Sequence, residues 1–79
     1  MQDNPIVNDA SIVYQNIRQF RKNKNQKQSE VARALEVSQS YYSEIESGKH
    51  VITIEFLCSL ANFYKVDIEE FFKGVATPH

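Results

Sequence analysis

At 79 residues with 42% hydrophobic content, the chain is long enough for one small core and too short for a second domain. A single cysteine, Cys58, excludes an intramolecular disulfide and most cysteine metal sites and suits a reducing cytosol; no zinc site can be assembled, and no metal is expected. The net charge of −1 excludes a uniformly basic surface. No apolar run approaches the roughly 18 residues that a membrane span needs, and none follows a basic N-terminal region, so the expectation is a soluble, cytoplasmic chain with no membrane partner.

The charge is lopsided. Residues 1–40 carry six Lys and Arg against four Asp and Glu, and residues 41–79 carry three against six. Arg18, Arg21, Lys22, Lys24 and Lys27 fall close together with no acid between them, which makes a patch suited to phosphates.

Residues 1–8 are polar, contain Pro5 and show no periodicity, so they read as a flexible N-terminal arm, with a single domain over 9–74 and a short tail at 75–79. Asn8 or Asp9 caps a first helix in which Val13, Ile17 and Phe20 recur at helical spacing, with an end near Lys22 to Lys24. After the polar linker Asn23 to Gln26, a second helix starts at about Gln28. It places Val31, Ala32 and Leu35 on one face, and Glu36-Val37 is the turn.

Ser38 is a good N-cap and Gly48 sits where a helix ends in a left-handed residue, so a third helix of about three turns lies between them. At about 100° per residue, Tyr42, Ile45 and Glu46 point one way while Gln39, Ser40, Ser43, Glu44 and Ser47 form a wholly polar stripe. One face is anchored and the other is offered. Its amide, hydroxyl and carboxylate groups can pair with base edges in a major groove wide enough to admit a helix.

Thr53 caps a fourth helix ending near Tyr64, with Ile54, Leu57, Leu60, Ala61 and Tyr64 closing the core and Phe56 and Phe63 left on its flanks, one or both exposed. Asp67 with Glu70 three residues later is a capping signature for a final helix, in which Phe71 completes the core and Phe72 has no assured place. Five short helices and no credible strand make an all-α bundle. Neither His50 nor His79 has an acid or nucleophile motif around it, so no catalysis, cofactor or small-molecule ligand is expected.

Gln28-Ser-Glu-Val-Ala32, then Val37 to Lys49, then Leu60-Ala61 and Val66 to Phe71, resemble the helix-turn-helix of the lambda-repressor-like (Xre) transcription regulators. The resemblance covers roughly residues 12 to 72. It departs at Gln26 and Lys27, where the family usually has an apolar residue and a Ser or Thr cap, and at Ile52, where Pro is common. It implies a five-helix DNA-binding domain whose third helix is the recognition helix. In length and in having no effector domain, the chain is similar to controller proteins of restriction-modification systems and to small phage repressors.

On that reading Gln39 meets an adenine edge and Ser40 a base or a phosphate, while Ser43 lies on the same stripe. Glu44 is repelled by phosphates unless it accepts from cytosine N4, and Tyr41 meets the DNA backbone. Gln28 resembles the family's phosphate-contacting glutamine, and Lys22, Lys24, Lys27 and Lys49 are further phosphate candidates. The resemblance also implies a partly buried ion pair between Arg21 and Glu46. The expected partners are double-stranded DNA and a second copy of the chain, with Phe63 and Phe72 at the homodimer interface. The alternative is a protein-interaction module, such as an antitoxin or partner subunit, in which DNA contact is secondary.

Overall fold

The computed structural model describes residues 11–74. The expected arm, the Asn8 or Asp9 cap and the tail at 75–79 lie outside those residues. Four α-helices, α1 (Ser11–Asn23), α2 (Gln28–Ala34), α3 (Gln39–Glu46) and α4 (Ile54–Tyr64), are followed by a 3₁₀ helix at Ile68–Phe72, and there is no strand among the described residues. α2 packs on α3, while α1 packs on both α3 and the 3₁₀ helix.

Local chemistry sets the helix starts. Ser38 Oγ accepts from the Tyr41 backbone N–H at 3.1 Å and Thr53 Oγ1 from that of Phe56 at 3.0 Å. Lys27 has no oxygen to do this for α2, and there the Glu30 carboxylate accepts from the Lys27 backbone N–H at 2.7 Å.

The four α-helices end alike. After α3, Gly48 N–H bonds the Ile45 carbonyl and Lys49 N–H bonds the Glu44 carbonyl, a paired closure in which Gly48 takes a φ of +81°. The same paired bonds close α1, α2 and α4 around Asn25, Glu36 and Lys65, at φ of 56°, 61° and 60°. Glu36 and Lys65 adopt a conformation that L-residues avoid by about 1–2 kcal/mol each. The apolar residues that follow them, Val37 and Val66, pack against the core, and a contact of this kind commonly accompanies this closure.

The core comprises Val13 and Ile17 of α1, Val31 and Ala32 of α2, Tyr42 of α3, Leu57, Leu60, Ala61 and Tyr64 of α4, and Phe71. Phe20 stacks tilted between Tyr64 and Phe71, with ring centroids 5.4 Å and 5.0 Å away. Asn16 ties the end of the chain to α1, its amide donating to the carbonyls of Phe71 at 2.7 Å and Lys73 at 2.9 Å.

Three expectations need correcting. The fifth element is a 3₁₀ helix: Glu70 N–H bonds the Asp67 carbonyl at 2.9 Å, Asp67 makes no side-chain cap, and the Glu70 carboxylate pairs with Lys73 at 3.0 Å instead of reaching back. Ile54 is 64% exposed, because a side chain in the first helical turn leans toward the N-terminus and here projects past the bundle. Phe56 and Phe63 are both partly buried against the core, Phe56 edge-on to Tyr41 at 6.0 Å and Phe63 edge-on to Tyr64 at 4.9 Å.

Candidate nucleic-acid interface

The third helix is held from below by one carboxylate. Glu46 is 2% exposed. Arg21 Nε donates to its Oε2 at 2.6 Å and Arg21 Nη2 to its Oε1 at 3.2 Å, a two-pronged pair joining α1 to α3. Gln28 Nε2 donates to the same Oε1 at 3.0 Å, which adds α2 to the junction. Arg21 Nη1 also donates to the Gln26 carbonyl at 2.9 Å, pinning the α1–α2 linker. Arg18 donates to the Glu46 backbone carbonyl, one of the acceptors that a helix C-terminus leaves without an intrahelical partner.

Burial alone would push the Glu46 carboxyl up, but the hydrogen bond from Arg21, helped by Tyr42 and Gln28, outweighs it and holds the group below the usual carboxylate range. The Arg21 guanidinium is correspondingly raised, chiefly by the bond to Glu46. The Tyr42 hydroxyl, turned toward this carboxylate, falls short of full hydrogen-bond geometry, and burial pushes its phenol far up. The Tyr64 phenol is pushed up to about 12, again mainly by burial.

Above this junction, Gln39, Ser40, Ser43 and Glu44 of α3 and Lys49 of the following loop line an open depression of about 390 Å³. Gln39, Ser40 and Lys49 are exposed, while Ser43 and Glu44 are half-buried. The Glu44 carboxylate is engaged by His50 Nε2 at 2.6 Å, with both side chains 46% exposed. Tyr41 is partly buried, with its ring 5.4 Å from that of His50, so its position is set by the loop after α3 as well as by α3 itself. Tyr14 of α1 donates its hydroxyl to the His50 carbonyl at 3.0 Å and lies against Gly48, fastening that loop to the first helix.

The basic run does not present five equivalent charges. Arg18 and Arg21 turn onto Glu46, which leaves Lys22, Lys24 and Lys27 exposed at the end of α1 and the start of α2. Gln28 is partly buried with its amide on Glu46. Phe72 is 43% exposed and lies away from α3 in the chain order, at the end of the 3₁₀ helix, whereas Phe63 is partly covered. No group of three or more potential metal ligands occurs among the described residues, and no described helix is long and apolar enough to cross a membrane. Sequence reading missed Arg18 as an anchor of α3 and His50 as a partner of Glu44. A contact between α1 and α3, or between a helix and the loop that folds back beside it, leaves no periodic signal.

No curated protein and no solved structure matches the chain. The family model described as helix-turn-helix, HTH_3, matches residues 17–71, well over half of the chain and everything from the middle of α1 to Phe71. With two short helices packed across a four-residue turn and a polar outward stripe on the second, this chain belongs to the Xre or lambda-repressor-like helix-turn-helix family of DNA-binding transcription regulators.

Proposed function

We infer that the protein regulates transcription by binding a specific palindromic duplex as a homodimer, with α3 of each protomer reading bases in the major groove. The observation that carries this reading is the depression on α3, where Gln39, Ser40, Ser43 and Glu44 converge beside Lys49. Gln39 is the primary reader, since an amide pairs with adenine N6 and N7 together. Lys22, Lys24, Lys27 and Lys49 hold phosphates, which positions α3 without selecting sequence. Gln28 and Tyr41 meet the sugar-phosphate backbone at the edge of the groove. Phe72 and the uncovered edge of Phe63 supply the contact between protomers, spacing two recognition helices about 34–36 Å apart.

The test is selection of bound duplexes from a random pool, followed by titration of wild type and Gln39→Ala against the best duplex, its single-base variants and random DNA. Gln39→Ala weakens the best duplex by about 1–3 kcal/mol per half-site, relaxes preference at one base pair and barely changes random-duplex affinity. Equal losses on specific and random duplex would make α3 a positioning element only.

A second reading, a module whose main interface is a protein, draws on Val51 and Ile54, which are 85% and 64% exposed beside the α3–α4 loop. Salt-dependent, saturable binding to a palindrome favours the first reading. Salt-insensitive binding to a partner protein with no selected duplex favours the second.

A further inference from the structure

An acid on a surface that meets phosphates is a liability unless something offsets its charge, and Glu44 lines the α3 depression. The offset is built from outside the helix. His50 reaches back from the loop to place Nε2 2.6 Å from Glu44 Oε1, with the Tyr41 ring 5.4 Å away on one side. Tyr14 of α1 holds the His50 carbonyl at 3.0 Å, so the loop that presents the imidazole is fixed at two points. The titratable and charged groups around the imidazole are Glu44 and Tyr41 of α3, Tyr14 of α1 and Lys49 beside it in the loop. α4 contributes the uncharged Phe56, edge-on to Tyr41.

We propose that His50 is a positioning residue for DNA reading: it occupies one oxygen of Glu44, aims the other at a base amino group, and makes operator affinity depend on proton uptake. This rests on the DNA-binding reading of α3. A histidine changes charge near neutral pH. With the imidazole neutral, the pair presents a full negative charge to the phosphates; with it protonated, the pair is neutral. The phosphates of a bound duplex therefore favour the protonated form. Binding takes up as much as one proton per half-site, and affinity rises as pH falls, with a slope of log affinity against pH no steeper than about −1 per half-site. The free Glu44 oxygen is placed to accept from cytosine N4, the base amino donor that a carboxylate suits.

The experiment titrates the full chain by fluorescence anisotropy against the tightest duplex selected from a random pool. It runs from about pH 8 to about pH 6 at constant ionic strength. Wild type, His50→Gln, Glu44→Gln and His79→Gln are compared, the last because the chain has two histidines. Wild type and His79→Gln gain roughly two- to fivefold in affinity per half-site across that range, the scale of one exposed charge pair. His50→Gln stays flat, whereas Glu44→Gln keeps its imidazole and a pH slope but loses its preference for cytosine at one base pair. Unchanged duplex selectivity with a wild-type pH slope in His50→Gln overturns this proposal alone. Absence of any duplex selectivity in wild type at every pH overturns the DNA-reading assignment and this proposal with it.

Discussion

Replacing Glu46 by alanine tests how α3 is held. The carboxylate is 2% exposed, takes two bonds from Arg21 and one from Gln28, and lies on the junction of α1, α2 and α3. Removing one member of a buried pair costs about 3–5 kcal/mol, because the other charge stays behind with no partner, against under about 1 kcal/mol for a surface pair. The Arg21 side chain keeps 13% of its surface in solvent and retains its bond to the Gln26 carbonyl, so the lower end, about 3 kcal/mol, is expected. A chain of this length has only about 4–12 kcal/mol to lose. Urea denaturation followed by far-UV circular dichroism reads the change directly. With a slope of about 1 kcal/mol per molar, the midpoint of Glu46→Ala falls by roughly 3 M. Glu46→Gln preserves the shape and an acceptor and loses less. The pH dependence has a definite sign: since the folded carboxyl is held below its unfolded range, its stabilisation is present above about pH 4.3 and fades as pH falls through the folded value. That component of acid unfolding is missing in Glu46→Gln. A Glu46→Ala midpoint within roughly 0.5 M of wild type would refute the argument that this junction carries the fold.

Lys24→Ala weakens all duplexes alike and lowers the slope of log affinity against log salt by about 0.9 per lost phosphate contact, measured by titration at several salt concentrations; an unchanged slope places Lys24 off the DNA. On the proposed homodimer, Phe72→Ser leaves the helical content intact, since Phe72 is 43% exposed while Phe71 fills the core, and shifts sedimentation toward monomer; an unaltered dimer puts the interface elsewhere, and a monomeric wild type refutes the homodimer. Gly48→Ala would set its new methyl 3.5 Å from the Tyr14 ring, an ordinary contact, so its cost is the strain of a side chain at φ +81°, about 1–2 kcal/mol by urea denaturation. A loss under about 0.5 kcal/mol would show that the loop relaxes out of the left-handed conformation.

Much of this protein is legible in the chain because its information is local. The apolar spacing of Val13 and Ile17, and of Leu57, Leu60, Ala61 and Tyr64, reports buried helix faces directly. Ser38 and Thr53 announce helix starts because a hydroxyl one position ahead of a helix can reach an amide three residues on. The same local spacing divides α3 into a buried face with Tyr42, Ile45 and Glu46 and a polar one, and the spaced motifs around it identify the family.

Tertiary structure decided where the long polar side chains end. Arg18, Arg21 and Lys22 are neighbours in one basic run that charge alone assigns to phosphates, and only the family resemblance singled out Arg21 as a partner of Glu46. Two of them turn onto Glu46 because α1 crosses α3 there, and Lys22 does not because its position on α1 faces outward. Glu36 and Lys65 sit in the left-handed conformation without being glycine, since packing of Val37 and Val66 offsets a strain that propensity alone would avoid. His50 meets Glu44 because the loop after Gly48 is drawn back by Tyr14 of a helix 36 residues earlier. A side chain's face follows from its own helix, whereas the partner at its tip depends on which other segment arrives there, and that is set by the packing of the whole bundle.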